Sequence, residues 1–98
     1  MQIFPWQNKI VLQDINYQRV VNWVSGEFDL FQQDYKEGLK IYCPNGFIHI
    51  KKKDNTNLVT ALIKSKSSYS GRMYQDKLNF VLGLLKNYNQ FQRSKKDE

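Results

Sequence analysis

Few residues in this chain could carry covalent or acid–base chemistry. Among its 98 residues there is one cysteine, Cys43, and one histidine, His49. A nucleophile needs a base within hydrogen-bond reach; His49 is the only candidate base of that kind, and a Cys43–His49 dyad is geometrically conceivable. In a hairpin that turns at Pro44-Asn45-Gly46, pairing Cys43 with Phe47 and Ile41 with His49 puts both side chains on one face. No third orienting group and no oxyanion donor accompanies them, and buried cysteines are usually inert. A lone cysteine forms no intramolecular disulfide, and a lone histidine excludes a multi-histidine metal site. Carboxylates show no paired arrangement for general acid–base work; Glu27, Asp29, Asp34 and Glu37 read as a solvated face. The glycines follow neither a phosphate-loop nor a dinucleotide spacing. The expectation is a protein that is not an enzyme, with no catalytic residue, metal or cofactor.

Binding chemistry remains, and it begins with charge. Lysine and arginine number 15 against 9 acidic residues, a net charge of +6. Such a balance favours a polyanionic partner, although it bears on association and not on fold. Lys51, Lys52 and Lys53 form one basic run. Lys64, Lys66, Arg72 and Lys77 form a looser one around Tyr69. Lysines interleaved with an aromatic ring suit phosphate contacts and base stacking. A helix N-terminus at Ser70-Gly71 adds backbone donors for phosphate. The bland alternative is a solvated loop with edge-strand lysines that discourage aggregation.

The elements that must position these residues start with a meander from Leu39 to Ser65. Pro44, Asn45 and Gly46 suit a type I turn closed by a glycine bulge. Asp54-Asn55-Thr56-Asn57 makes the second turn. In that register one face carries Leu39, Ile41, Cys43, Phe47 and His49. The other carries Lys40, Tyr42, Ile48 and Ile50. Apolar residues on both faces point to a sheet covered on both sides, a filled middle layer, or to one face reserved for a partner. From Gly71 to Gln92 a helical period is strong, with Ser70 as N-cap and Ser68 as runner-up. Tyr74, Leu78, Val81, Leu82, Leu85 and Tyr88 form its core face. Met73, Phe80, Leu84 and Phe91 add a second apolar stripe that needs its own partner.

Residues 14–37 are ambiguous. Tyr17, Val20, Val21, Val24, Phe28, Phe31 and Tyr35 fall on one helical stripe, with Asp14 as N-cap and Gly38 past the end. The rival reading makes Tyr17–Val24 and Glu27–Gln32 a hairpin that extends the sheet to five strands; a helix interrupted near Ser25-Gly26 also satisfies the pattern. Before them, Ile3 to Trp6 reads as an apolar arm or edge strand, and Lys9 to Gln13 as a strand.

The fold expected is α+β. A three-stranded antiparallel meander carries a long C-terminal helix and is preceded by an N-terminal helix. Residues 1–92 form one domain and 93–98 a charged flexible tail. The order helix, three strands, helix also occurs in double-stranded-RNA-binding domains. The last helix here opens with Ser-Gly-Arg-Met and lacks their lysine- and alanine-rich opening, so no family is assigned. No apolar run reaches the ~20 residues of a membrane span, and no basic-then-apolar leader opens the chain. A cytoplasmic protein is expected.

The function expected is binding without catalysis. Nucleic acid comes first, through Lys51, Lys52, Lys53, Lys64, Lys66, Tyr69, Arg72 and Lys77. An inhibitor or adaptor that docks on a larger protein comes second, using Met73, Phe80, Leu84 and Phe91, with homodimerisation compatible with either. The composition is skewed toward Gln, Asn, Lys, Tyr and Phe, with the single alanine Ala61. That skew fits a phage or mobile-element protein.

Overall fold

The computed structural model describes residues 3–96, with side chains through 88. The elements in order are β1 (Trp6–Leu12), α1 (Tyr17–Glu27), β2 (Gln32–Asp34), β3 (Leu39–Cys43), β4 (Gly46–Lys52), β5 (Val59–Ser65) and α2 (Ser68–Lys96). The class is α+β. The three-stranded meander is present as β3, β4 and β5, inside a five-stranded antiparallel sheet of order β1-β5-β4-β3-β2. The strand count matches the rival reading. The two added strands lie elsewhere, at Trp6–Leu12 and Gln32–Asp34.

A turn decides which residues face which way. Pro44 and Asn45 form a two-residue connection, so Cys43 pairs with Gly46, Tyr42 with Phe47, Ile41 with Ile48 and Lys40 with His49. Asn45 has a φ of +70°. Proline followed by a residue of positive φ is the signature of a type II turn, not of the bulged type I turn expected above. The register therefore shifts by one residue relative to expectation, and every β4 side chain changes face. Leu39, Ile41, Cys43, Ile48, Ile50, Val59, Ala61, Ile63 and Ser65 are all buried on one side. Lys40, Tyr42, Phe47, His49, Lys51, Thr60, Leu62 and Lys64 alternate onto the other. With this register these inward positions are apolar apart from Ser65, while the open face mixes lysines with Val11, Tyr42, Phe47 and Leu62.

Both helices lie on that buried side and pack against each other. The expected middle layer is thus corrected to a two-layer structure with one sheet face open. α1 starts at an Asn16 cap, whose side chain accepts from the Arg19 N–H at 2.9 Å. Asp14 instead takes a left-handed φ of 56°. The helix buries Val20, Val21 and Val24, and then Phe28 leaves it as the C-cap. The long single helix over 14–37 is corrected to this short helix followed by a strand. Valine and aromatics have low helix propensity, and Gln33 gives the chain a reason to stop. Its amide donates to the Ser25 carbonyl at 3.0 Å and to the Phe28 carbonyl at 2.9 Å, two acceptors at the helix end.

α2 begins earlier than its sequence suggests. Ser67, not Ser70, caps it: the Ser67 hydroxyl accepts from the Ser70 N–H at 3.1 Å. Ser70 is buried, and its hydroxyl accepts from Asn45 across from the turn. The helical backbone continues through 93–96, which the sequence assigns to the charged tail; 97–98 lie outside the described residues. Tyr74, Leu78, Val81, Leu82 and Leu85 face the sheet and α1. No helix among the described residues is long and apolar enough to cross a membrane.

Candidate nucleic-acid interface

The open sheet face is built from alternate residues of all five strands. Across the register, Gln7, Lys64, Phe47, Tyr42 and Gln32 lie in one row. Lys9, Leu62, His49, Lys40 and Asp34 lie in the next. Val11, Thr60 and Lys51 lie in a third. Adjacent members of a row are about 5 Å apart, and the rows are about 7 Å apart. Lys9, Lys40, Lys51 and Lys64 thus share a face on which the strands carry one carboxylate, Asp34. That carboxylate is engaged locally, accepting from the Lys36 N–H at 2.8 Å.

Two aromatic rings stand among these lysines. Tyr42 is 40 % exposed, and Phe47 is half-buried. Phe4, from the arm before β1, meets Phe47 edge to face at a centroid distance of 5.4 Å. The Lys40 ammonium lies 4.4 Å from the Phe47 centroid and 5.2 Å from that of Tyr42. A cation is attracted to the ring quadrupole at such distances. Two hollows flank the Lys40–Tyr42 pair. One, of about 200 Å³, is lined by Asp34, Lys36, Glu37 and His49 as well as the pair. The other, of about 250 Å³, is lined by Phe4, Asn45, Phe47 and Lys66 among others.

The structure divides the residues singled out in the sequence. Lys64 and Lys66 join the open face at its Pro44 end, and Lys51 joins it at the far end. Lys52 and Lys53 are exposed at the rim beside Lys51, around a depression shared with Tyr17, Glu37 and Asp54. Tyr69 and Arg72 are exposed on α2, lining a separate hollow with Ser68, Met73 and Asp76. Lys77 sits apart from all of these, its ammonium 4.9 Å from the Phe28 ring centroid and 5.9 Å from that of Phe31. The cluster expected at the Lys64–Lys77 connection is therefore not one surface. Lys9, Lys40, Tyr42 and Phe47 take its place. The β3–β4 register was the signal that could have found them.

Met73, Phe80 and Leu84 are 50 %, 62 % and 41 % exposed, so neither α1 nor the N-terminal arm covers the second apolar stripe. Phe91 lies outside the described side chains. The Cys43–His49 pairing is dismantled by the register. Cys43 points into the core while His49 stands on the open face, with its Nε2 2.5 Å from the Glu37 carbonyl oxygen. Burial pushes the Cys43 thiol up to about 11, against a smaller opposing pull from the Lys77 charge. Burial raises the Tyr74 phenol in the same direction, with a further push from Cys43.

The thiol shift has a consequence for stability. The folded chain holds this proton more tightly than the unfolded chain does. The contribution is therefore complete below the ordinary thiol pKa of 9.0 and is lost as pH rises toward about 11. Urea denaturation should show stability falling by on the order of 1 kcal/mol per pH unit across that window. Cys43→Ala should flatten the fall. An equally steep fall in the variant would assign it to other groups.

No family model and no curated protein matches this chain. The functional reading therefore rests on the face itself.

Proposed function

We propose that the protein is a non-catalytic nucleic-acid-binding protein whose contact surface is the open face of its sheet. The observation that carries this reading is the placement of Lys9, Lys40, Lys51 and Lys64 around Tyr42 and Phe47, on strands that supply one carboxylate. The register sets these lysines diagonally, the nearest pairs roughly 8 Å apart and the rest about 12 to 15 Å, so their long side chains can reach separate phosphates along one backbone. The rigid sheet holds them there without further ordering of backbone.

The reading is tested by fluorescence anisotropy with labelled oligonucleotides over a series of salt concentrations. Log affinity is expected to fall linearly with log salt, because bound phosphates release counterions. Lys9→Gln, Lys40→Gln and Lys64→Gln combined should reduce that slope by about 2, at ~0.7 per phosphate of a single strand. Undetectable binding at low salt, or an unchanged slope in the triple variant, would sink the proposal.

A second reading is an inhibitor or adaptor that binds a larger protein, or a homodimer. It is favoured by the exposed stripe of Met73, Phe80 and Leu84, because apolar side chains in a row on one helix face are a common mark of an interface. That stripe lies on α2, in the helical layer behind the sheet, so the two readings use different surfaces.

A further inference from the structure

We infer that the nucleic acid is single-stranded, with bases seated in the two hollows that flank the Lys40–Tyr42 pair. This inference rests on the nucleic-acid reading and narrows it. Its first ground is width. Tyr42, Phe47 and His49 lie on β3 and β4, interior strands of a five-stranded sheet. Five strands span about 19 Å at ~4.8 Å per step. The major groove of a DNA duplex is about 12 Å wide and admits a helix or a two-stranded ribbon. A face of this width can rest only on the outer phosphates of a duplex. The rings in its middle would then meet no base. A single strand turns its bases out, and those bases stack on exposed aromatic rings.

The second ground is the size and lining of the hollows. At about 200 and 250 Å³ both are smaller than the ~300–1,000 Å³ typical of sites for drug-sized ligands. They share Lys40 and Tyr42, so one ring and one cation stand between two neighbouring seats. The hollow beside His49 offers the Glu37 carboxylate, the second oxygen of Asp34 and the Nδ1 side of an imidazole whose Nε2 meets the Glu37 carbonyl, groups that hydrogen-bond to a base edge. The hollow beside Phe47 offers the Phe4 and Phe47 rings for stacking and Lys66 for phosphate. Lys40 now covers both ring faces with its ammonium. Its flexible stem lets the charge swing from ring to phosphate as a base takes its place.

The test uses the full chain with three labelled probes: oligothymidylate and oligouridylate of about 12 nucleotides, and a DNA hairpin duplex of mixed sequence. Either single strand should bind at least about tenfold more tightly than the duplex at equal salt. Tyr42→Leu should weaken single-strand binding by about five- to a hundredfold, the range for losing one stacked base. Its salt slope should stay unchanged, because no phosphate contact is lost. Tyr42→Phe should bind like the original. A preference for oligothymidylate or for oligouridylate supports the inference equally, and the preferred probe names the sugar. Duplex binding as tight as single-strand binding overturns it, and this comparison needs no variant that might misfold. Unchanged affinity in a folded Tyr42→Leu also overturns it. In both cases a retained salt slope leaves the broader reading standing. Failure of every probe to bind at low salt overturns both together.

Discussion

Gly46→Ala is expected to destabilise the fold by about 3 kcal/mol, at the upper end for forced overpacking, and to weaken the proposed nucleic-acid binding as well. Gly46 opens β4 directly after the Pro44–Asn45 turn and pairs with Cys43 on one side and Ser65 on the other. A Cβ at this position would fall inside the contact radius of the Lys64 backbone carbonyl oxygen, with the Ser65 Cα also too close. Backbone cannot rotate aside as a side chain can, so the β4–β5 ladder must open at this end. Phe47 and Lys64 are paired one position further along, and both belong to the proposed contact face. Urea denaturation and oligonucleotide anisotropy on the same preparation check the two effects. A variant with the original unfolding midpoint would show that β4 and β5 do not approach as described.

Phe28→Ala is expected to cost about 3–5 kcal/mol, the range for emptying a buried aromatic site, out of the ~5–15 kcal/mol typical of a small domain. Phe28 is fully buried, beside Phe31 at a centroid distance of 6.1 Å and beneath the Lys77 ammonium. The backbone of residue 28 would keep its own bonds, donating to the Val24 carbonyl and accepting from Gln33. The loss therefore reports side-chain burial and packing, not capping. Because Phe28 belongs to the core that the helices cover, affinity per folded molecule should not change. This separates it from Gly46→Ala, which should impair both. A cost below about 1 kcal/mol would contradict the burial of this ring.

Much of this architecture is legible in the sequence. α2 declares itself through Tyr74, Leu78, Val81, Leu82 and Leu85, because a strand or loop does not sustain a 3.6-residue period over several turns. β4 and β5 are also legible, bounded by Pro44-Asn45-Gly46 and by the polar cluster at Asp54. Two places mislead. Pro-Asn-Gly is compatible with both a two-residue and a bulged three-residue turn. The choice between them is a single residue of register, yet it moves Phe47, His49 and Lys51 from one face to the other. The open face was therefore hidden even though each of its residues was in view.

The second misleading place is the stretch after Val24. Phe28 and Phe31 continue the helical period, but they reach the core from the helix cap and from the turn after it. Tyr35 continues the same spacing, yet it is exposed and bonded through its hydroxyl to the Ser25 side chain at 2.7 Å. Periodicity records which residues approach the core; it does not record the backbone path by which they get there. The cap that ends α1 comes from Gln33, a residue beyond the helix, and local propensity does not register a partner of that kind.

The pairing of β1 with β5 sets the order in which the molecule can assemble. The β3–β4 hairpin closes over a two-residue turn, whereas Trp6 must find Ser65 and Leu12 must find Val59. Bringing such distant segments together carries a loop-closure entropy that a tight hairpin avoids. The N-terminal strand is thus the element with the strongest reason to dock late. Until it docks, β5 is a bare edge able to accept the same strand from another chain. The route to a sheet completed within one chain and the route to a strand-exchanged dimer diverge at that one step.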